Sequence, residues 1–302
     1  PRTIGIDVIF KDRKENVFLD SMLASLLKHD NIVTSYNITE EAVDYNHPYF
    51  GNGTATGFVN YNFDDKTSVV REFVGKIQDE QGDQLSFASQ IAKHYLSKKW
   101  KNLDYDNKLE QVQTIKFQGY YDTFQYLEPE DFVTYDRKSS LKDKIVIFGY
   151  LGVPTGEIKD IRDKFFTPLN VIVSGKSDAD MFGTAIHANI VNMLIKNDFM
   201  VTISNFWMGL ITFLCMFLST IYYMRANKKY KISFRTRKRI FQFVISLLIL
   251  TLSFWLFKLN VVLKPVLPIL GIVLAGSYFK YYKHLTRYLK TKTSRKWKTY
   301  LK

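Results

Sequence analysis

A chain of 302 residues with 46% apolar and 16% aromatic content is long enough to bury a sizeable core in one or two domains. Its net charge of +13 is split: residues 1–200 hold all 29 acidic residues and 23 of the 42 Lys and Arg, a formal −6, whereas the last 102 residues carry 19 basic groups and no acid. Basic groups set between long apolar runs argue for a lipid bilayer rather than a nucleic-acid partner, and the single cysteine, Cys215, excludes a disulfide framework and a cysteine metal site.

The chain starts at Pro1 with no methionine, basic leader or signal peptide and enters an apolar pattern at once, so upstream sequence is expected. Residues 3–10 read as a buried strand, 17–29 (VFLDSMLASLLKH) as an amphipathic helix and 31–35 as a short strand, a β-α-β start. After a polar loop, TATGFVNYNF and SVVREFVG predict a hairpin turning at Asp64, Asp65 and Lys66. Ser86 caps a helix with Phe87, Ile91, Ala92 and Tyr95 on one face, and QTIKFQGY returns as a strand. DKIVIFGYLG, residues 143–152, has the near-continuous apolar pattern of a central strand buried on both faces. A loop of about 30 residues follows, long enough to be functional. Residues 184–196 (TAIHANIVNMLIK) then form an amphipathic helix that stops at Asn197.

Residues 201–224 carry no charge over 24 positions, more than the roughly 20 needed to cross about 30 Å of hydrocarbon. Residues 240–257 give a second span, and a third, about 261–281, starts at Lys264, Pro265 and Pro268, which a first helical turn and a snorkelling lysine tolerate. The short linker 258–264 makes the second and third spans a hairpin. Eight basic residues in 225–239, two in the linker and nine from Lys280 onward place the 225–239 loop and the tail 284–302 in the cytoplasm. Residues 1–200 then lie across the membrane, in the periplasm or outside the cell if this is a bacterial inner membrane. The basic tail reads as a topogenic and headgroup anchor, with a regulatory peptide or a nucleic-acid arm as the competing reading.

The order of GIDVIF, TGFVNYNFDDKTSVVRE, LSFASQIAKHYL, DKIVIFGYLG, FFTPLN and GTAIHANIVNMLI resembles the CHASE2 sensor domain over residues 1–200, with three spans following as in that family. The resemblance implies an α/β fold: a mixed-sheet extracytoplasmic sensor domain plus a three-helix transmembrane bundle. It also implies a transmembrane helix before the sensor and a cytoplasmic histidine kinase, cyclase, diguanylate cyclase or serine/threonine kinase after the spans. The tail ends about 20 residues past the last span, too short for a catalytic domain, so the output is expected on a removed module or on a cytoplasmic kinase or cyclase partner. Lys66 after Asp65, and Phe182 before Gly183, depart from the family's turn residues.

No catalytic residue and no cofactor is assigned: His29, His47, His94, His187 and His284 show no metal-ligand spacing, and glycines 51, 53 and 57 miss the dinucleotide pattern. His187, at the start of the helix leading to the membrane, is the titratable group of most interest, with a hydrogen-bonded structural histidine as the competing reading. Asp7, Asn60, Arg71 and Thr167 resemble family positions and are candidates for a ligand cleft at the strand ends, with a structural Asp7–Arg71 ion pair as the competing reading. The leading expectation is a sensor that binds an extracytoplasmic ligand or protein and passes a shift from the 184–196 helix to the spans. The alternative is a non-signalling membrane subunit whose outer domain docks partners. A homo-oligomer is left open, Gly271 and Gly276 making no GxxxG face.

Overall fold

The computed structural model describes residues 1–51, 55–63, 68–79, 82–103, 105–128, 140–152, 163–170, 178–229 and 234–292. The chain divides into two compact units, Pro1–Phe199 and Met200–Lys302.

In the first unit, β1 (Thr3–Ile6), α1 (Val17–Leu26) and β2 (Ile32–Ile38) form the β-α-β start. They are followed by β3 (Val43–Asp44), β4 (Ala55–Phe58), β5 (Asn62–Phe63), β6 (Val70–Phe73), β7 (Lys76–Asp79) and β8 (Gly82–Leu85). Then come α2 (Phe87–Leu96), α3 (Lys98–Lys101), α4 (Asp106–Glu110), β9 (Gln113–Thr114), β10 (Ile145–Phe148), β11 (Lys164–Phe165), β12 (Met181–Phe182) and α5 (Gly183–Lys196). The main sheet is mixed: β10, β1, β2 and β4 lie side by side in parallel, and β3 pairs antiparallel with the end of β2.

Helices cover both faces. On one, α2 and α5 bury Phe87, Ile91, Ala92, Ile186, Ile190 and Leu194 against the sheet. The approach is close enough that a Cβ on Gly57 of β4 would meet the backbone N of Phe87 at 2.6 Å, so only glycine fits beneath the start of α2. Ser86 caps that helix, its side chain accepting from Ser89 N. On the other face α1 contributes a smaller cluster, Ala24 and Leu27 with Ile32 and Phe50.

Several expected elements differ. The first strand stops at Ile6, because beyond Asp7 the chain turns to bond elsewhere, Phe10 N donating to Asn46 Oδ1. The expected hairpin splits: Ala55–Phe58 joins the parallel sheet beside β2, and only Asn62–Phe63 turns back on β6. Its turn at residues 64–66 lies outside the described residues. Of QTIKFQGY, only Gln113 and Thr114 enter a ladder. The 143–152 strand is not central; among the described residues β10 pairs with β1 alone, which leaves Phe148 47% exposed.

In the second unit α6 (Asn205–Lys229), α7 (Phe234–Lys258) and α8 (Val266–Lys292) pack together. Residues 201–204 and 261–265, expected inside spans, are not helical; β13 (Val201–Thr202) pairs with β14 (Val261–Val262) instead. Tyr222 stacks on Phe241 with ring centroids 3.9 Å apart, joining α6 to α7. Gln242 reaches Ile272 O while Ser253 reaches Leu263 O, so α7 and α8 run antiparallel. Tyr223 donates to Ile272 O across α6 and α8. Among the described residues two helices, Asn205–Asn227 and Phe234–Lys258, are long and apolar enough to cross a membrane. The third expected span forms a 27-residue helix, but five basic residues from Lys280 onward dilute its apolar run, and it does not join them.

Candidate functional site

The sheet order creates a switch point: from β1 the chain moves outward through β2 and β4, then returns to place β10 on the other side of β1. At such a point the loops leaving two neighbouring strands diverge and open a crevice at their carboxyl ends. Asp7 leaves β1 there, its N–H still bonded to Phe148 O of β10 at 2.7 Å, and Gly149 leaves β10.

The start of α5 closes the crevice. Thr184 donates its hydroxyl to Asp7 Oδ2 at 2.7 Å, and a Cβ on Gly149 would meet Thr184 Oγ1 at 1.9 Å, so glycine at 149 is what lets the threonine reach the carboxylate. Tyr61, just past β4, donates to Gly183 O at 2.8 Å. Asp163 accepts from Gly183 N through its carbonyl, and its carboxyl also lies against Gly183.

His187, one turn further on, is buried with its ring 4.8 Å from Tyr61 and 5.1 Å from Phe87, centroid to centroid. Its Nδ1 finds no hydrogen-bond partner among the described residues. A buried unpaired ring nitrogen costs about 1–3 kcal/mol.

The charges in this cluster are mutually dependent. Burial lowers the His187 pKa, and the nearby Asp7 carboxylate only partly offsets it. Although Asp163 as a residue is exposed, partial burial of its carboxyl and the charge of Asp7 push it up to about 6. That outcome overrides the stabilisation a helix N-terminus ordinarily gives a carboxylate. Burial first, then Asp7 and Asp163, raise Tyr61 well above its ordinary value, so it remains a donor. Among the described residues no group of three His, Cys, Asp or Glu is arranged around a metal ion.

Two of the five sequence candidates, Asp7 and His187, meet here. Asn60 extends the sheet, accepting from Ile38 N at 2.9 Å and donating to Ile38 O at 2.6 Å. Thr167 is buried and ties its loop down, giving its hydroxyl and its N–H to the two oxygens of Asp180. Arg71 stands exposed on β6, and no ion pair joins it to Asp7 among the described residues. The competing reading of His187 as hydrogen-bonded finds no partner at Nδ1 among the described residues, and burial lowers its pKa. Sequence reasoning missed Tyr61, Asp163 and Thr184. The available signal was Gly149 directly after an apolar strand, which marks a close approach at a strand end.

An α/β domain with a polar cluster at its switch point is followed in sequence by two helices whose apolarity suggests membrane insertion, which defines a membrane-associated α/β protein in class. The chain belongs to the CHASE2 family: the sequence model of the CHASE2 domain matches residues 1–222. CHASE2 is an extracytoplasmic, sensory and non-catalytic domain. No curated protein and no solved structure matches the chain.

Proposed function

We propose that this chain is a membrane-anchored sensor that takes its signal at the switch-point cluster and passes it along α5 to three membrane-spanning helices. The observation that carries this reading is the placement of α5. Gly183, Thr184 and His187 in its first turns belong to the cluster, its far end is capped by Asn197 in a left-handed conformation, and residues 198–204 alone separate it from α6. A rigid buried helix with a ligand-responsive start is a lever, and biasing its two arrangements requires only about 1–3 kcal/mol of differential affinity.

The third span is α8, whose apolar half is 266–279 and which packs against both α6 and α7. The distribution of basic residues favours a cytoplasmic tail and an outer first unit. The receiver inside is a kinase or cyclase. Two carboxylates beside a neutral imidazole and a phenol favour a proton or a small cationic ligand as the input.

The test uses the full chain in nanodiscs, Cys215→Ala, with spin labels at Tyr222→Cys and Phe241→Cys reporting the α6–α7 distance. Acidification from about pH 7.5 to about 5.5, which protonates Asp163, shifts the distance distribution, and Asp163→Asn or a Gly-Ser insertion after Asn197 abolishes the shift. A shift that survives the insertion overturns transmission along α5; one that survives Asp163→Asn overturns the cluster as its origin.

A further inference from the structure

We propose that the outer face of α1 is the surface on which two copies of this chain pair. The helix is packed inside out relative to its composition: it buries Asp20 and Ala24, while Phe18 is 70% exposed, Val17 60%, Leu19 58%, Leu26 52% and Met22 47%. Asp20 is held inward by Lys14 N, which donates to its Oδ2 at 2.9 Å, and by Arg13 Nε at 3.8 Å. That network fixes the rotation of the helix and keeps its apolar side out. Asn16 fixes the start, accepting from Leu19 N.

Five large apolar side chains together on one short helix exceed what single exposed residues on a monomer explain. Three observations select a second copy as the occupant. The first is area: the exposed parts of these five side chains amount to roughly 500 Å² per copy, so a symmetric pair buries roughly 1,000 Å², the threshold for a specific interface. The second is charge: the exposed positions of α1 carry none, Asp20 being turned in, so the face can meet its own image without opposing like charges. The third is size: the remaining exposed positions of the helix, Ser21 and Ser25, are small, which suits the close approach of a second helix. A lipid surface fits less well, because interfacial helices carry Lys or Arg on their polar side and residues 17–26 contain neither.

The experiment uses the full chain in native membranes on a Cys215→Ala background. Met22→Cys is oxidised with copper phenanthroline beside an exposed control, Glu41→Cys, and the mass in detergent is read by light scattering. The expected result is a band of twice the chain mass from Met22→Cys and not from Glu41→Cys, with a two-chain mass in detergent. Adding Phe18→Glu and Leu26→Glu is expected to lower the cross-linked fraction about tenfold or more while the melting midpoint stays put, both residues being exposed in the single chain. A one-chain mass without cross-linking, a cross-link that survives the two glutamates, or a cross-linked band of another mass overturns the proposal. So does quenching of a fluorophore at Met22→Cys by spin-labelled lipid, which assigns the face to the bilayer.

Discussion

Helices α5 and α1 lie on opposite faces of one sheet, and α1 is the more apolar, yet it is the one left exposed. α5 buries ten of its 14 residues, polar Thr184, His187 and Asn189 among them; α1 buries two of ten, one of them an aspartate. Apolar periodicity specifies a helix, but it does not say which side faces the sheet. That is decided by tertiary partners such as Gly119 for Asn189 and Lys14 for Asp20.

The contrast is sharpest in stability. Ile186→Ala empties a fully buried position of α5 and is expected to cost about 3 kcal/mol in urea unfolding of the outer unit. Asn189→Ala ranks next. Its side chain donates to Gly119 O and Ala185 O and accepts from Gln118 N, so truncation strands buried groups and costs about 2 kcal/mol. A loss in either variant no larger than that of an α1 surface change would erase the distinction.

The pH dependence of stability follows from two opposed shifts. Asp163 in the folded chain binds a proton up to about pH 6 rather than 3.8, so between those values the native state holds a proton that the unfolded chain has released. Stability therefore falls as pH rises through that window, and Asp163→Asn removes the fall. His187 has the reverse sign. Its folded pKa lies below 6.5, so as pH drops through 6.5 the unfolded chain takes up a proton that the native state refuses, and stability is lost on the acid side. His187→Phe removes this loss and, by deleting the unpaired Nδ1, stabilises by about 1 kcal/mol at pH 8. Urea midpoints from pH 4 to 8 for the three proteins test both signs. The smallest effect belongs to α1, where Leu19→Ser changes the stability of the single chain by less than about 0.5 kcal/mol.

Much of the fold was legible in local sequence: the Ser86-capped helix and the 183–196 helix carry their own periodicity and end signals. The strand Ala55–Phe58 was not, because the same alternation suits a hairpin or a parallel neighbour, and only the distant β2 decides between them. The hairpin of β7 and β8 escaped notice because Lys76–Asp79 and Gly82–Leu85 are largely polar and show no apolar alternation. At the site, Asp7 and His187, both named from the sequence, lie in one cluster. Tyr61, Asp163 and Thr184 were not named, since they meet only through contacts spanning between 20 and 177 positions of sequence. Asn60 and Thr167 lie apart from that cluster, their side chains bonded to the Ile38 backbone and to Asp180.

Signalling as proposed requires an outer CHASE2 domain joined to membrane helices with a cytoplasmic tail. The direct measurement is labelling of single cysteines by a membrane-impermeant maleimide in intact cells, on a Cys215→Ala background, with cysteine at Glu41, Ser233 or Thr291. The predicted result is labelling of Glu41→Cys in intact cells and of Ser233→Cys and Thr291→Cys only after permeabilisation. Labelling of Ser233→Cys or Thr291→Cys from outside would contradict the topology and, with it, the path from the switch-point cluster to a cytoplasmic receiver.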